Sequence, residues 1–312
     1  MARQGSSSRV LLDAAFAPAT LEKYNKAVTL FLSSCISLGE DPSSPSDLDR
    51  LIVEYLTNLY LSGGSKSSAS ALLNGLYRLL PRLRGHLRLA TTAVRGWNRL
   101  TPAVSYPPLT WDLTCLVAFR LARWGLWPLA VATLVGFDCL LRVGELTGLV
   151  REDVADSKDI PLRQSKTGPN QWVMLRSAGL MSLLRLLLSY TEPGSLLFAT
   201  SANAYRRQFK RACRALRLSD RYVPHSLRHG GATAMFLAGE RLEDILMRGR
   251  WASTKTARRY IQAGPSLLLQ LEVPTATGAL AADIAPHIFS LLTLLSSQPH
   301  SSSEVRNAMN SQ

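Results

Sequence analysis

The sequence is poor in cysteine, and the four it has, Cys35, Cys115, Cys139 and Cys213, lie far apart with no CxxC pair. Such spacing offers neither a zinc site nor a disulfide framework, and it fits a reducing compartment. Acidic residues are also scarce: 22 Asp plus Glu stand against 36 Lys plus Arg, a formal charge of +14. An excess of that size favours a polyanionic partner, nucleic acid ahead of an anionic membrane surface. The opening MARQGSSSRV holds no apolar core of signal-peptide length. The expectation is therefore a protein that is not secreted, cytoplasmic in a prokaryote or nuclear in a eukaryote. One apolar run, WGLWPLAVATLVGFDCLL (124–141), approaches membrane-span length, but it contains Asp138, leads into Arg142 and follows Arg120 and Arg123. It reads as buried core helix rather than as a span, and no membrane partner is expected. Internal repeats are missing, and so is any cluster of carboxylates of the kind that holds catalytic magnesium.

With 46% hydrophobic and 19% charged residues, the 312-residue chain can build one large or two medium cores. Its periodicity predicts a mainly α fold with a small antiparallel β-sheet. Residues 1–19 are expected to be disordered and 20–100 to form a helical domain. In that domain Thr20 is a candidate N-cap, and Leu21, Tyr24, Val28, Leu32 and Cys35 follow at helical spacing as far as Gly39. Ser46 is a candidate cap for a second helix, ASALLNGLYRLL makes a third that stops at Pro81, and a weaker fourth runs through Leu87, Leu89, Val94 and Trp97. Residues 101–109, with the prolines of TPAVSYPP, read as a linker. A second, α+β domain is expected over 110–295, with Thr110 capping its first helix and apolar helices to about Leu149. From 150 to 176 the pattern alternates, punctuated at Asp156-Ser157 and Gly168-Pro169-Asn170, and predicts two or three short strands. Helical spacing resumes at Ala178, and 296–312 is expected to be a disordered tail.

The stretch PHSLRHGG (224–231) sets His225 and Arg228 three apart on one helical face. Alone, HxxR is a weak pattern, equally that of a helix cap and a surface charge. Upstream, LLRVGELTGL carries Arg142 and Glu145 at the same spacing, and Lys166 precedes the GPN turn. Downstream, GRW places Trp251 in a loop, and STKTARRYIQ starts a helix at Ser253 that carries Tyr260. In this order and spacing, Arg142-x-x-Glu145, Lys166, His225-x-x-Arg228, Trp251 and Tyr260 resemble the tyrosine recombinases, or phage integrases, over most of residues 110–265. Trp251, nine residues before the tyrosine, occupies a place where that family often has histidine. The helical N-terminal region looks like the family's core-binding domain.

The resemblance implies a site-specific DNA strand transferase. Arg142 and Arg228 would grip a scissile phosphate, with His225 and the Trp251 indole adding donors. Tyr260 would attack the phosphorus, Lys166 would protonate the departing 5′-hydroxyl, and Glu145 would hold Arg142 or His225 in place. The residue types suit that chemistry. In-line attack concentrates charge on the non-bridging oxygens, fixed donors stabilise it, and positive charge beside a phenol helps it ionise. The product would be a 3′-phosphotyrosyl bond, made without metal, ATP or any other cofactor. His229 could touch the phosphate indirectly or simply pack the helix, and the glycines 230–231 would let that helix pack closely.

Basic residues outside this set read as DNA-backbone contacts: Arg206, Lys210, Arg214 and Arg217 at helical intervals, and Lys66, Arg78, Arg82, Arg84 and Arg88 in the first domain. The resemblance implies two domains clamping a duplex, a homo-tetramer on synapsed sites, and a C-terminal helix that docks either in trans on a neighbour or in cis. A type IB topoisomerase-like relaxase would use nearly the same residues, and a domesticated, catalytically inactive DNA-binding protein would keep the fold.

Overall fold

The computed structural model describes residues 10–102, 106–154, 159–165, 168–261, 264 and 271–296. It divides into two compact units, residues 1–104 and 105–312.

The first unit is helical: α1 (Val10–Ala14), α2 (Pro18–Leu38), α3 (Pro45–Leu61), α4 (Lys66–Leu79) and α5 (Arg88–Leu100). Prolines open α2 and α3, because a residue with fixed φ and no N–H is best placed in the first helical turn. The helices therefore begin earlier than Thr20 and Ser46 would have started them, and the α3 cap is Ser44, whose hydroxyl accepts from the Asp47 N–H at 3.1 Å. Gly39, at φ 69°, ends α2 in the left-handed conformation that glycine adopts at least cost. No side chain of its own first turn caps α5. The buried Asp49 of α3 does so instead, accepting from the Leu89 and Ala90 N–H groups at 2.9 and 2.8 Å. Phe31, Ile52, Leu56, Leu72, Leu87 and Trp97 form the core. Residues 10–19, expected to be disordered, hold α1 and the start of α2. They are tied down because Arg78 pairs with Asp13 at 2.6 Å and Phe16 packs edge-on against Tyr24. Residues 1–9 and, of the tail predicted at 296–312, residues 297–312 lie outside the described residues, while Ser296 is helical.

The second unit contains α6 (Trp111–Arg123), α7 (Trp127–Asp138), α8 (Val143–Thr147), β1 (Asp159–Ser165), β2 (Gly168–Met174), α9 (Ala178–Ser189), α10 (Ala202–Ala215), α11 (His225–Leu237), α12 (Leu242–Gly249), α13 (Thr254–Arg258), α14 (Thr275–Ile284) and α15 (Ile288–Ser296). The apolar run at 124–141 supplies α7, which is apolar on every side because α6, α9 and α11 all pack on it. Residues 106–109 are not a linker. Pro107, Pro108 and Leu109 are buried, and the Leu109 N–H donates to the Ser226 carbonyl at 3.1 Å. This close approach needs Gly230, where an added Cβ would lie 1.9 Å from the Leu109 carbonyl oxygen; at Gly231 it would lie 2.3 Å from that of Phe137.

Strands β1 and β2 pair antiparallel, with Ser165 opposite Gly168 and Gln164 opposite Pro169. Gly168-Pro169-Asn170, read from sequence as a turn, therefore belongs to β2. Lys166 and Thr167 lie outside the described residues, as does Asp156-Ser157. The helical run Thr275–Ser296 is long and apolar enough to cross a membrane by length and composition. Here Ala281, Ile284, Ile288 and Leu292 join the core of their own unit, and the buried Trp127 indole donates to the Leu292 carbonyl at 2.7 Å.

Candidate active site

Beyond Asp138 the chain leaves the helical path, with Leu140 at φ 50°, and re-enters at α8 with Arg142 as its N-cap. Arg142 and Glu145 thus do not share a helical face as their spacing suggested. Glu145 is the third helical residue and reaches back, its Oε2 accepting the Arg142 N–H at 2.8 Å and its Oε1 accepting from Arg142 Nη1 at 2.6 Å. A carboxylate there satisfies an otherwise orphaned donor of the helix start. It has a second cation partner, Arg250, whose Nη2 donates to Oε2 at 2.7 Å. Glu145 therefore holds Arg142 and Arg250 rather than His225. Burial pushes the Glu145 carboxyl up, but Arg250 and the Arg142 donors outweigh it, and the group sits below the usual carboxylate range. It is ionised at neutral pH.

Arg250 follows α12 in the left-handed conformation, φ 54° and ψ 44°, which costs a non-glycine residue about 1 kcal/mol. Just before it, Gly249 leaves room for the Trp251 ring, which an added Cβ would meet at 2.0 Å. Trp251 is consequently buried, as its place in a loop did not foretell.

Helix α11 begins at His225, directly after Pro224. The His225 ring meets the edge of Tyr106 (centroids 5.9 Å), His229 (5.1 Å) and Tyr260 (5.4 Å). Arg228 has no exposed surface, and its Nη1 and Nη2 donate to the carbonyl oxygens of Leu140 and Gly249. Tyr260 lies in the turn after α13 rather than on that helix, its N–H donating to the Ala257 carbonyl at 2.8 Å. Its ring stacks on His229 at 4.5 Å and leans on Trp251 at 4.6 Å. The Arg228 Cζ is 5.3 Å from the Tyr260 centroid and 4.8 Å from that of Trp251, so one guanidinium underlies both rings.

Burial, followed by the Arg228 and Arg142 charges, lowers the His225 pKa to about 4. Burial and the neighbouring His225 lower that of His229 to about 3. Both imidazoles are neutral at pH 7. Among the described residues, three buried donors here have no acceptor: Arg228 Nε, Arg250 Nε and Trp251 Nε1. A buried unpaired donor costs about 1–3 kcal/mol, and three beside one another, two of them on cations, suit an anion.

Next to this cluster opens a cavity of about 490 Å³ lined by Tyr106, Arg142, Val143, Gly144, Arg206, Lys210, Val223, Pro224 and His225. The fold thus brings two of the predicted backbone-contacting cations on α10, Arg206 and Lys210, to the same opening as Arg142 and His225. Arg228, Trp251 and Tyr260 do not line it; they adjoin it through His225, whose ring meets that of Tyr260. Other predicted residues fall elsewhere. Arg214 pairs with Asp220 at 2.9 Å, and Arg217 lies past the end of α10 at φ 55°, off the helical stripe to which its spacing assigned it. In the first unit, Arg78 is committed to Asp13 and Lys66 donates to the Thr101 carbonyl at 2.8 Å. Arg82, Arg84 and Arg88 are exposed around the α4–α5 connection. Lys166 is outside the described residues.

Sequence reasoning missed Arg250 and Tyr106. The only trace of Arg250 is its place beside Trp251 in GRW, and Tyr106 was hidden in what read as a linker. A buried support behind the site went unread too. Arg248 donates to the carbonyl of Asp138 at 2.6 Å and to its carboxylate at 3.2 Å, and the Arg176 N–H donates to the same carboxylate at 3.1 Å.

Residues 126–266 match the sequence model described as Phage integrase family. Among solved structures, the Tn1549 transposon integrase in complex with circular intermediate DNA aligns with a TM-score of 0.62 at 14% identity, covering 85% of this chain and 96% of that one. A lambda integrase dimer bound to a COC' core site gives 0.59 at 20% identity, over 82% of this chain and 93% of that one. At these identities the likeness is one of fold. No curated protein matches the chain.

Proposed function

We propose that this chain, whose residues 126–266 match the phage integrase family model, is a tyrosine recombinase: a DNA strand transferase that cuts and rejoins duplexes through Tyr260. The observation that carries this reading is the convergence of Arg142, His225, Arg228, Trp251 and Tyr260 around three unpaired donors, beside a cavity rimmed by Arg206 and Lys210. A phosphodiester entering that cavity meets Arg142 and His225 first. Tyr260 moves off His229 and Trp251, which uncovers Arg228 and the Trp251 indole N–H. The guanidiniums and the indole take the non-bridging oxygens, where the charge of an in-line displacement accumulates.

The Tyr260 phenol gives up its proton to water, its oxygen forms a bond to phosphorus, and the bond to the 5′ oxygen breaks. Lys166 gives that oxygen its proton. The phosphotyrosyl linkage conserves the energy of the broken bond, so a 5′-hydroxyl of another strand reverses the step on a new partner, with no metal or nucleotide consumed. His225, neutral before DNA arrives, is raised towards protonation by the phosphate charge and gains strength as a donor. The fold relatives, integrases bound to a core site or to circular intermediate DNA, support double-stranded DNA as substrate. A tetramer on two sites is the assembly that strand exchange between duplexes requires.

The test is covalent capture. The protein is incubated with a pool of nicked duplexes of randomised sequence and then resolved by denaturing electrophoresis. The expected result is a protein–DNA adduct, absent in Tyr260→Phe, with non-covalent DNA affinity nearly unchanged. An adduct that survives Tyr260→Phe removes Tyr260 from its role. No adduct from the unaltered protein, with duplex binding intact, favours an inactive DNA-binding protein.

A further inference from the structure

Glu145 poses an electrostatic problem for any phosphate site beside it. Its carboxylate is ionised, almost wholly buried, and bonded to Arg142, the cation that faces the cavity. A carboxylate held that close repels an incoming phosphate, and it competes with the phosphate for the Arg142 guanidinium. We infer that Arg250 is a positioning residue that holds and neutralises Glu145, so that the Arg142 guanidinium is free to take a phosphate oxygen. This rests on the reading of the cavity as a phosphodiester site, and it adds a residue to which sequence reasoning assigned no role.

The division of labour between the two carboxylate oxygens supports it. Oε2 accepts both the Arg142 backbone N–H, at 2.8 Å, and Arg250 Nη2, at 2.7 Å. Oε1 has only Arg142 Nη1, at 2.6 Å. When that one contact opens, Glu145 keeps an ion pair and a helix-start bond, so neither it nor the α8 terminus moves. Burial differs in the same sense. The Arg250 side chain is 6% exposed and that of Arg142 22%, so Arg250 stays behind the carboxylate while Arg142 reaches the opening. Arg250 is also tied to the wall of the site, through a 3.4 Å contact to the Leu140 carbonyl that Arg228 uses as well. Finally, the backbone there is left-handed at φ 54°, where glycine would sit without strain. Retaining arginine points to a side chain with work to do.

Charge-neutral rescue separates this role from that of a strut. Two readouts are used: formation of the phosphotyrosyl adduct, and the rise in melting temperature that inorganic phosphate alone gives the full chain. Arg250→Gln is expected to slow adduct formation by about 100-fold, the scale of a misplaced catalytic group, and to abolish the phosphate response. Adding Glu145→Gln is expected to recover at least about tenfold and to restore the response, because the repelling charge is gone. Arg250→Gly combined with Glu145→Gln, which suits the left-handed backbone and strands no buried carboxylate, is expected to keep the phosphate response; it carries the test if Arg250→Gln folds poorly, and its failure to respond overturns the inference. A double variant no better than Arg250→Gln overturns the inference, as do single variants that respond to phosphate like the unaltered protein. An unaltered protein without a phosphate response overturns it as well. A normal set of phosphate responses with no adduct from the unaltered protein refutes the strand-transfer reading and leaves Arg250 its role at an anion site.

Discussion

Replacing Gly230 by alanine reverses the usual sign of a glycine substitution. In a helix interior, alanine is normally favoured over glycine by about 1 kcal/mol. Gly96 in α5, with nothing within 4 Å of an added Cβ, should follow that rule, so Gly96→Ala is expected to stabilise its unit by about 0.5–1 kcal/mol. At Gly230 the added Cβ would lie 1.9 Å from the Leu109 carbonyl oxygen and 2.9 Å from the Phe137 ring. The first obstacle is backbone, which cannot rotate aside. Either α11 or residues 106–109 must retreat, at an overpacking cost of about 1–3 kcal/mol. Set against the helix-propensity gain of about 1 kcal/mol, this leaves a net loss of about 1 kcal/mol, which lowers the melting temperature of a unit this size by about 2–4 °C. Because the displaced segment carries Tyr106 against His225, adduct formation should fall as well. Urea unfolding followed separately for the two units measures both substitutions. A Gly230→Ala protein as stable as the original, or more so, would show that α11 and residues 106–109 do not touch, and the buried segment would revert to the linker its prolines suggest.

Two further outcomes follow from the charges. His229 is buried, with a pKa lowered to about 3, against about 6.5 in an unfolded chain. The folded state therefore binds fewer protons, its stability is fully present above about pH 6.5, and it declines as pH falls towards 3. At pH 5 the loss is about 1–2 kcal/mol. His229→Gln should flatten the dependence of the urea midpoint on pH between 7 and 5 by that amount, and an unchanged slope would mean the ring is not held neutral. Arg206, exposed at the cavity mouth, should release about one counterion when it meets a backbone phosphate. Arg206→Ala is expected to reduce the slope of log affinity against log salt by about 1 on a duplex of arbitrary sequence; no change in slope would place the side chain away from DNA.

Local order was legible where local rules govern it. Gly39 closed α2, Thr110 capped α6 by accepting from the Leu113 N–H at 3.3 Å, the apolar spacing of ASALLNGLYRLL (69–80) became most of α4, which starts earlier at Lys66, and that from Ala178 became α9. The helix starts that slipped did so at Pro18 and Pro45, where a proline outcompetes a nearby hydroxyl for the first turn. Arg142 with Glu145 was legible as a pair but not as a cap, because spacing alone cannot say where a short helix begins. GPN was misplaced because glycine and proline also serve at the first residues of a strand.

The order of Arg142, His225, Arg228, Trp251 and Tyr260 is written in the chain, and with it the kind of chemistry those side chains suit. So are the excess of positive charge and the helical rhythm, since each depends on residues within a turn or two of one another. Partners far apart in sequence were settled only by tertiary packing. Arg250 meets a carboxylate 105 residues upstream, and Gly230 faces the carbonyl of Leu109. Tyr260 rests on His229 with Arg228 beneath it. Such contacts depend on how helices stack, and stacking is decided by the summed fit of many side chains rather than by any local pattern.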